Sequence, residues 1–208
     1  MIRIFCLFAS VIILASCASV TPPLPDGPVA KFFFPDREPL TADIALERYY
    51  NTIEDEALPV APPGVSLPGE NQILTRILVG SCNNEENASP ALATLAKEQA
   101  DMFIMLGDNV YGDMDGRAYR NNDADLTELR ASFADLAASE EFKAVRAAHP
   151  MMAAWDDHDY GANDAGAEFA FKRFAERIHE RFWGLDKEKD VGQWDGTYYA
   201  RAFGPSGQ

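Results

Sequence analysis

The sequence predicts an α/β fold built around a largely parallel sheet. Three short apolar segments, residues 73–80, 101–106 and 150–155, have the length and hydrophobicity of buried strands. Helical segments separate them, and strands that alternate with helices form βαβ units with a parallel sheet. A chain that is 47% hydrophobic and 11% aromatic can fill the core of such a fold.

The net charge excludes some classes of function. The 208 residues have a formal charge of −15, with 33 acidic and 18 basic side chains. A nucleic-acid binder needs a basic face, and adsorption to anionic lipid through protein charge needs one as well. No basic cluster is visible, so no nucleic-acid surface is implied. The sequence also implies no protein partner. Abundant carboxylates instead favour a binder of hard cations.

The N-terminus is predicted to be a signal peptide over residues 1–16. Arg3 precedes an apolar run of eleven residues, 4–14, which is too short to span a bilayer core of about 30 Å. The following Leu14-Ala15-Ser16-Cys17 resembles the lipobox of bacterial lipoproteins. That resemblance implies cleavage before Cys17 and lipidation of this residue.

We therefore expect an exported, lipid-anchored protein on the periplasmic side. Ala18 follows the modified cysteine instead of a retention aspartate, which favours the outer membrane over the inner one. The alternative is an ordinary secretory peptide cut after Ala15 or Ala18. With Cys6 removed and Cys17 lipidated, Cys82 is left without a disulfide partner, and is either buried and inert, metal-bound or catalytic.

The elements follow in order along the chain. Residues 17–72 are rich in proline and are predicted to form a tether with one short helix over 41–55. After the strand 73–80, Ser89 is predicted to cap a helix that runs to Gln99. The strand 101–106 leads to a polar loop, and one or two helices are predicted over 126–147. The last elements are predicted to be the strand 150–155, an amphipathic helix over 167–183 and a strand over 197–203.

Polar clusters follow the ends of the three buried strands. They are Gly80-Ser81-Cys82-Asn83, the run 107–113 and Trp155-Asp156-Asp157-His158-Asp159. Sites in open α/β sheets form at the carboxyl ends of the strands, so the three loops are expected to meet in one crevice. Close carboxylates at 156, 157 and 159 are unfavourable unless they diverge or bind a cation.

The candidate ligands have simpler readings as well. Asp108-Asn109 and Asn163-Asp164 are also common turn formers, and a lone cysteine such as Cys82 is often a small buried hydrophobe. His149 and His179 are expected to be structural. Carboxylate and phenolate oxygens with one imidazole and one thiolate nevertheless suit an iron-type ion beside calcium or a similar cation.

Taken together, Gly80-Ser81-Cys82, the run 106–113 and the run 155–159 resemble alkaline phosphatase D, a branch of the calcineurin-like metallophosphoesterases. The resemblance covers about residues 73–208. It implies an αββα sandwich with metals, most readily iron with calcium, at the carboxyl ends of the strands. This chain would hold only the N-terminal half of that fold, and the 208 residues alone are expected to be inactive.

The resemblance also implies roles for individual residues. Asp108 would bridge two metals, while Tyr111 and Cys82 would bind the iron-like ion. Asp157 stands where the superfamily has a metal-binding asparagine, and His158 matches the catalytic histidine that assists at the scissile phosphate. The candidates for substrate or supporting contacts are Asn109, Asp113, Asp156, Asp159, Asn163 and Asp164.

Two departures from the superfamily pattern stand out. Gly80-Ser81-Cys82 replaces the usual Asp-x-His first motif, so its carboxylate and imidazole are absent. The distal metal motif with Asp and His has no counterpart before Gln208, so we expect distal ligands beyond this residue.

Three hypotheses of function remain open. The leading one is a metal-dependent phosphoric-ester hydrolase in which a metal-bound hydroxide attacks phosphorus and His158 assists the leaving oxygen. The second is a thiol hydrolase with Cys82 as nucleophile and His158 as base. The third is a non-catalytic surface lipoprotein that binds metal or phosphate.

Overall fold

The computed structural model describes residues 40–113, 123–187, 191 and 195–206. The chain divides into two compact units, 1–45 and 46–208. Helix α1 (Ala42–Tyr50) begins in the first unit and ends in the second. Its start is stabilised by Thr41, whose hydroxyl accepts a hydrogen bond from the main-chain N–H of Ile44.

Three parallel strands form the sheet, in the order β1 (Ile77–Gly80), β2 (Met102–Leu106) and β3 (Met151–Ala154). The predicted α/β fold with a parallel sheet is thus confirmed. β1 begins four residues later than predicted because the Asp101 carboxylate accepts the main-chain N–H groups of Thr75 and Arg76 at 2.6 and 2.9 Å. Those donors are therefore not available to a strand ladder.

Helices connect and cover the strands. Their bounds are α2 (Pro90–Leu95), α3 (Thr127–Ala138), α4 (Glu140–Ala148), α5 (Asp157–Tyr160) and α6 (Lys172–Trp183), with short 3₁₀ turns at Asp55–Ala57 and Leu185–Lys187. The predicted segment 126–147 is two helices because Ser139 has an extended ψ of 129°. The Ser139 hydroxyl then caps α4 by accepting the main-chain N–H of Phe142.

The core lies between the sheet and the helices. Phe103 and Met105 of β2 pair in register with Met151 and Ala153 of β3, and all four side chains are buried. The predicted apolar stripe of α6 is confirmed as part of this core, where its members are Phe171, Phe174, Ile178 and Phe182. The alternate positions of the sheet are more open, with Ile77, Val79 and Leu106 about half exposed.

The polypeptide before β1 packs on the helices. Arg177 of α6 donates hydrogen bonds to the main-chain oxygens of Tyr50 and Ile53, and Arg146 of α4 donates to that of Pro62. The second compact unit therefore starts at Leu46. The proline-rich segment predicted over 17–72 stays a prediction as a domain, and its described part from Leu46 onward belongs to this unit.

The strand predicted over 197–203 is wrong, since these residues have no regular secondary structure. They reach β3 through a side chain instead of a ladder. The Tyr199 hydroxyl contacts both the main-chain N and O of Ala153, at 3.3 and 3.2 Å. Glu176 accepts the N–H of Gly196, whose φ of +113° turns the backbone away from an extended path.

Within the described ranges, 40–113, 123–187 and the short stretches after them, no helix has both the length and the apolar character of a membrane span. The same ranges hold one sheet, so the second sheet of an αββα sandwich stays a prediction of the resemblance.

Candidate metal centre

The loops that follow β1 and β2 remain joined beyond the strand ends. The main-chain N–H groups of Cys82 and Asn83 donate to the carbonyl oxygens of Gly107 and Asp108, at 3.3 and 2.8 Å. The Asn83 side chain adds a bond to the main-chain oxygen of Asn109 at 3.3 Å. The β1–β2 ladder thereby extends into the loops and brings the first two sequence clusters together, as expected.

Two candidate ligands have left-handed backbone conformations. Cys82 has φ of +58° and Asp108 has φ of +48°, a region that residues other than glycine rarely occupy. Their side chains meet, with Sγ of Cys82 3.5 Å from Oδ2 of Asp108. Strained backbone of this kind concentrates at functional sites, where the surrounding contacts hold it in place.

Asp159 joins the third loop, which follows β3, to the second loop, which follows β2. Its side chain is fully buried and accepts the main-chain N–H groups of Asn109 at 2.9 Å, Val110 at 3.2 Å and Asp156 at 3.1 Å. Burial raises the pKa of Asp159 to about 7, against the effect of these donors. Asn109 is also fully buried, and its amide donates to the main-chain oxygen of Ala154. These two sequence candidates hold the loops and have no surface open to a substrate.

Asp156 starts the short helix α5. Its carboxylate accepts the N–H of Asp157, and Asp159 completes a capping box by reaching back to the Asp156 N–H. The three carboxylates of this cluster therefore have different roles. Asp156 and Asp159 cap the helix, whereas Asp157 lies near Asp108 and His158. This resolves the charge repulsion expected from 156, 157 and 159 in part by divergence.

The glycines of the second loop permit close approach. A Cβ on Gly107 would lie 2.6 Å from Cβ of Asp156, and φ is +107° there. A Cβ on Gly112 would lie 2.3 Å from Cδ1 of Leu129 in α3 and 2.7 Å from its Cα. The second loop therefore packs closely against the third loop at Gly107 and against α3 at Gly112. These two contacts restrict the backbone between the glycines.

Asp108, Asp157 and His158 form the cluster best placed to hold a metal ion. One potential ligand atom of each lies within 4.8 Å of the others. Burial raises the pKa of Asp108, and the nearby charges of Asp157 and Asp156 act in the same direction. Oδ1 of Asp108 is buried without a hydrogen-bond partner in the described part of the chain. A carboxylate oxygen in this situation fits a hard cation, which would supply the missing partner.

Other unpartnered acceptors lie in the loops that follow β1 and β2. They are buried oxygens that find no hydrogen-bond donor among the described residues, namely Oε1 of Glu85, Oδ1 of Asn109 and Oδ2 of Asp113. Acceptors that lack donors are costly in a protein interior unless a cation or an ordered water completes them. Their concentration in the loops after the strands supports a cation site at this edge of the sheet.

Tyr111 lies beside the same cluster. Its ring centroid is 4.2 Å from that of His158, with the two planes 33° apart. Burial raises the pKa of Tyr111 to about 12, and the neighbouring Cys82 and Asp108 also disfavour its phenolate. A cation would reverse that preference by stabilising the phenolate. Tyr111 thus lies next to both Cys82 and Asp108, and its role as a metal ligand stays a prediction.

His158 is held from one side by Asp113. Nδ1 of His158 and Oδ1 of Asp113 are 2.6 Å apart, and the Asp113 side chain is almost fully buried. Burial lowers the pKa of His158, but the hydrogen bond and charge of Asp113, with Asp157 and Asp108, outweigh this and raise it overall. The carboxylate accepts a hydrogen bond from Nδ1–H, so Nε2 is the nitrogen left for chemistry.

Asp157 is oriented by the turn that follows α5. The Asp164 N–H donates to Oδ2 of Asp157 at 2.7 Å, and Asp164 has φ of +54°. Burial raises the pKa of Asp157, but this hydrogen bond and the charge of His158 lower it overall. The Asn163 amide donates to the Asp164 carboxylate at 2.7 Å. Asn163 and Asp164 therefore support a candidate ligand.

Cys82 lies at the edge of this cluster, whereas the two other histidines of the described residues lie away from it. The sulfur of Cys82 is exposed and contacts Ser81 Oγ at 3.4 Å as well as Asp108. Nε2 of His149 contacts the main-chain oxygen of Leu95, and His179 is fully buried among aromatic rings, as expected of structural histidines. The lipidation candidate Cys17 lies outside the described residues.

Sequence reasoning missed Glu85. This residue lies in the turn after β1, and its carboxylate accepts the main-chain N–H of Tyr111 at 2.9 Å. The available signal was its position three residues after Cys82, in a loop already predicted to meet the 107–113 loop.

A parallel sheet with carboxylates, a phenol and an imidazole gathered at its carboxyl edge defines an α/β protein with a candidate metal centre. The profile of the PhoD-like phosphatases matches residues 77–181, which contain all three loops. The chain belongs to this family of phosphatases.

One solved structure, of PhoD, is similar at 23% sequence identity and a TM-score of 0.41. The match covers 59% of this chain and 26% of that chain, so the chain spans about a quarter of the PhoD structure. No protein with a curated description matches the sequence.

Proposed function

We propose that this protein acts as a metal-dependent phosphoric-ester hydrolase. The observation that carries the proposal is the Asp108–Asp157–His158 cluster, in which one donor atom of each residue lies within 4.8 Å of the others. Oδ1 of Asp108 is buried and has no hydrogen-bond partner among the described residues. The two carboxylates are assigned to the metal, and the histidine to proton transfer beside it. Membership of the PhoD-like phosphatases supplies the substrate class, a phosphate ester. Nothing in this cluster requires a covalent phosphoenzyme.

The residues proposed to hold metal are Asp108, Asp157, Tyr111 and Cys82. When bound, a metal ion supplies a hydroxide nucleophile near neutral pH and neutralises charge on the phosphoryl oxygens. Thiolate and phenolate ligands favour an iron-type ion, and the carboxylates suit calcium beside it. Metal analysis of the purified full-length protein tests both assignments.

His158 is proposed to act as the general acid. The P–O ester bond breaks as the attacking oxygen bonds to phosphorus, and the departing oxygen takes a proton from Nε2 of His158. The Asp113 carboxylate keeps the proton on Nδ1 and stabilises the charged imidazolium before transfer. The neutral imidazole then recovers a proton from water, which completes the cycle.

The experiment is hydrolysis of p-nitrophenyl phosphate and bis(p-nitrophenyl) phosphate by the full-length protein, with and without chelator. We expect chelation to abolish turnover and metal to restore it. Asp108→Asn should reduce both metal content and turnover, whereas Asp135→Asn, at an exposed position of α3, serves as the control. Hydrolysis that survives complete removal of metal would contradict the mechanism.

The two other hypotheses are distinguished by the same preparation. Bound metal without turnover toward either ester would favour a non-catalytic binding protein. Alkylation of exposed Cys82 by iodoacetamide would stop a thiol hydrolase at once. In a metal-loaded protein the ligated sulfur should instead react slowly, and turnover should decline at the same slow rate.

We also propose that the protein is anchored through lipid on Cys17, facing the periplasm from the outer membrane. Support comes from the apolar run 4–14, the lipobox-like sequence that ends at Cys17 and the alanine that follows it. Incorporation of a labelled fatty acid in wild type but not in Cys17→Ala is the expected result. Equal labelling of both proteins, or release of the wild type into the soluble periplasmic fraction, would contradict it.

A further inference from the structure

Glu85 is connected to the candidate centre through Tyr111. Its Oε2 accepts the Tyr111 main-chain N–H at 2.9 Å, and its Oε1 is buried with no partner in the part of the chain that the structure describes. A half-buried carboxylate with one enclosed oxygen that lacks a donor is an unfavourable arrangement for stability alone. Its position beside a candidate metal ligand suggests a different reason for it.

The turn after β1 is built to present this side chain. Oδ1 of Asn84 accepts the main-chain N–H of Glu86 at 3.0 Å and the side-chain amide of Asn87 at 2.9 Å. An asparagine that bonds to the backbone two residues ahead forms an Asx turn, which fixes the residue between the two. That residue is Glu85, so the turn fixes the main chain from which its carboxylate reaches Tyr111.

The Tyr111 ring connects the position of the Tyr111 main chain to that of His158. Its ring lies against that of His158 at a centroid distance of 4.2 Å. A shift of the Tyr111 backbone would therefore move the phenol away from Cys82 and Asp108 and would also change the packing of His158. The hydrogen bond that the Tyr111 N–H donates to Glu85 is thus linked to the placement of two candidate functional side chains.

We propose that Glu85 is a positioning residue for Tyr111 and, through the Tyr111 ring, for His158. The expected change in kcat rests on the proposed phosphoesterase function. The expected change in amide exchange at Tyr111 does not depend on turnover. Glu85 contributes no atom to the reacting groups and acts only through the Tyr111 main chain. Another side chain with an acceptor oxygen at position 85, such as glutamine, should therefore replace the glutamate in this role.

The test compares three variants of the full-length protein. Glu85→Ala removes the acceptor, Glu85→Gln keeps an amide oxygen at the same place, and Glu86→Ala is the matched control at an exposed neighbour. The first measurement is amide hydrogen exchange at Tyr111 in metal-free protein. We expect exchange about 10-fold faster in Glu85→Ala, and rates close to wild type in Glu85→Gln and Glu86→Ala.

The second measurement is steady-state hydrolysis of p-nitrophenyl phosphate. Because Tyr111 and His158 take part in the chemical step, Glu85→Ala should lower kcat about 10-fold with KM nearly unchanged, and Glu85→Gln should restore most of it. Unchanged Tyr111 exchange in Glu85→Ala, or a Gln variant no better than Ala, would overturn the proposal. Altered exchange in a protein without phosphatase activity would instead contradict the proposed function.

If Glu85→Ala does not fold, Asn84→Ala provides the second route. It removes the Asx turn while leaving the Glu85 carboxylate in place, so Tyr111 exchange should accelerate in the same direction. Exchange at wild-type rate in Asn84→Ala would show that the turn does not position Glu85.

Discussion

The Asp113 carboxylate accepts a hydrogen bond from Nδ1 of His158 over 2.6 Å, from a position that is almost completely buried. The bond selects the tautomer of the imidazole and stabilises its protonated form. It also links the second loop of the site to the third. A histidine held in this way is suited to donate a proton from its other nitrogen.

Asp113→Asn should weaken general-acid catalysis. The amide keeps the shape of the carboxylate but loses the charge that stabilises the imidazolium. We expect kcat to fall by about 10-fold or more, and to fall further for phenyl phosphate than for p-nitrophenyl phosphate, because the nitrophenolate leaves with little help from a proton. Steady-state rates on the two esters give the comparison. Equal losses on both would argue against a role of Asp113 in proton transfer.

Gly112→Ala should destabilise the second loop. The added Cβ would meet Leu129 of α3 at 2.3 Å, so either the loop or the helix must move. Overpacking of this kind costs about 1–3 kcal/mol in the free energy of unfolding, measured by urea titration. Gly69→Ala is the matched control, since nothing lies within 4 Å of a Cβ there. Similar stability for the two variants would contradict the close packing of this loop.

His179 should make the fold sensitive to acid. Burial lowers its pKa to about 3, whereas in the unfolded chain a histidine has a pKa of about 6.5. The unfolded state therefore binds the proton first. This contribution to stability is fully present above pH 6.5 and is lost as the pH falls toward 3. From pH 7.5 to 5.5 the loss from this one residue is about 1.4 kcal/mol.

His179→Phe isolates that contribution. Phenylalanine fits the aromatic surroundings of Phe133, Trp155 and Trp183 and cannot take up a proton. The variant should lose less stability than wild type between pH 7.5 and 5.5 in urea unfolding, by about the amount stated for the histidine. An identical pH response in both proteins would mean that His179 is not a buried neutral group.

Asp159→Asn should separate the second loop from the third. An amide has one acceptor oxygen, so its NH₂ group would face main-chain N–H donors in either orientation. These donors are Asn109 and Val110 if the NH₂ group replaces Oδ1, and Asn109 and Asp156 if it replaces Oδ2. We expect the free energy of unfolding to fall by about 2–3 kcal/mol. Asp135→Asn, on the exposed face of α3, should change it little. A neutral Asp159→Asn would show that the buried carboxyl is not needed to join the loops.

The periodic parts of the fold could be predicted from the sequence. The runs at β2 and β3 and the stripe of α6 are apolar with the spacing of their element, and each contributes buried side chains to the core as expected. Errors arose where side chains compete with the backbone. Asp101 delays the start of β1 to Ile77 by accepting the main-chain N–H groups of Thr75 and Arg76. Where a strand was predicted over 197–203, the Tyr199 hydroxyl contacts Ala153 of β3 instead.

Chain order and strand direction, both readable in the sequence, determined that the three polar loops would meet at one edge of the sheet. Only the tertiary structure decided which carboxylate faces which partner: Asp159 inward to main-chain donors, Asp113 to His158, and Asp108 and Asp157 to the open cluster. The reason is physical. Loop side chains follow no helical or strand period, and their direction depends on backbone angles such as the positive φ of Cys82 and Asp108, which contacts between separate loops maintain.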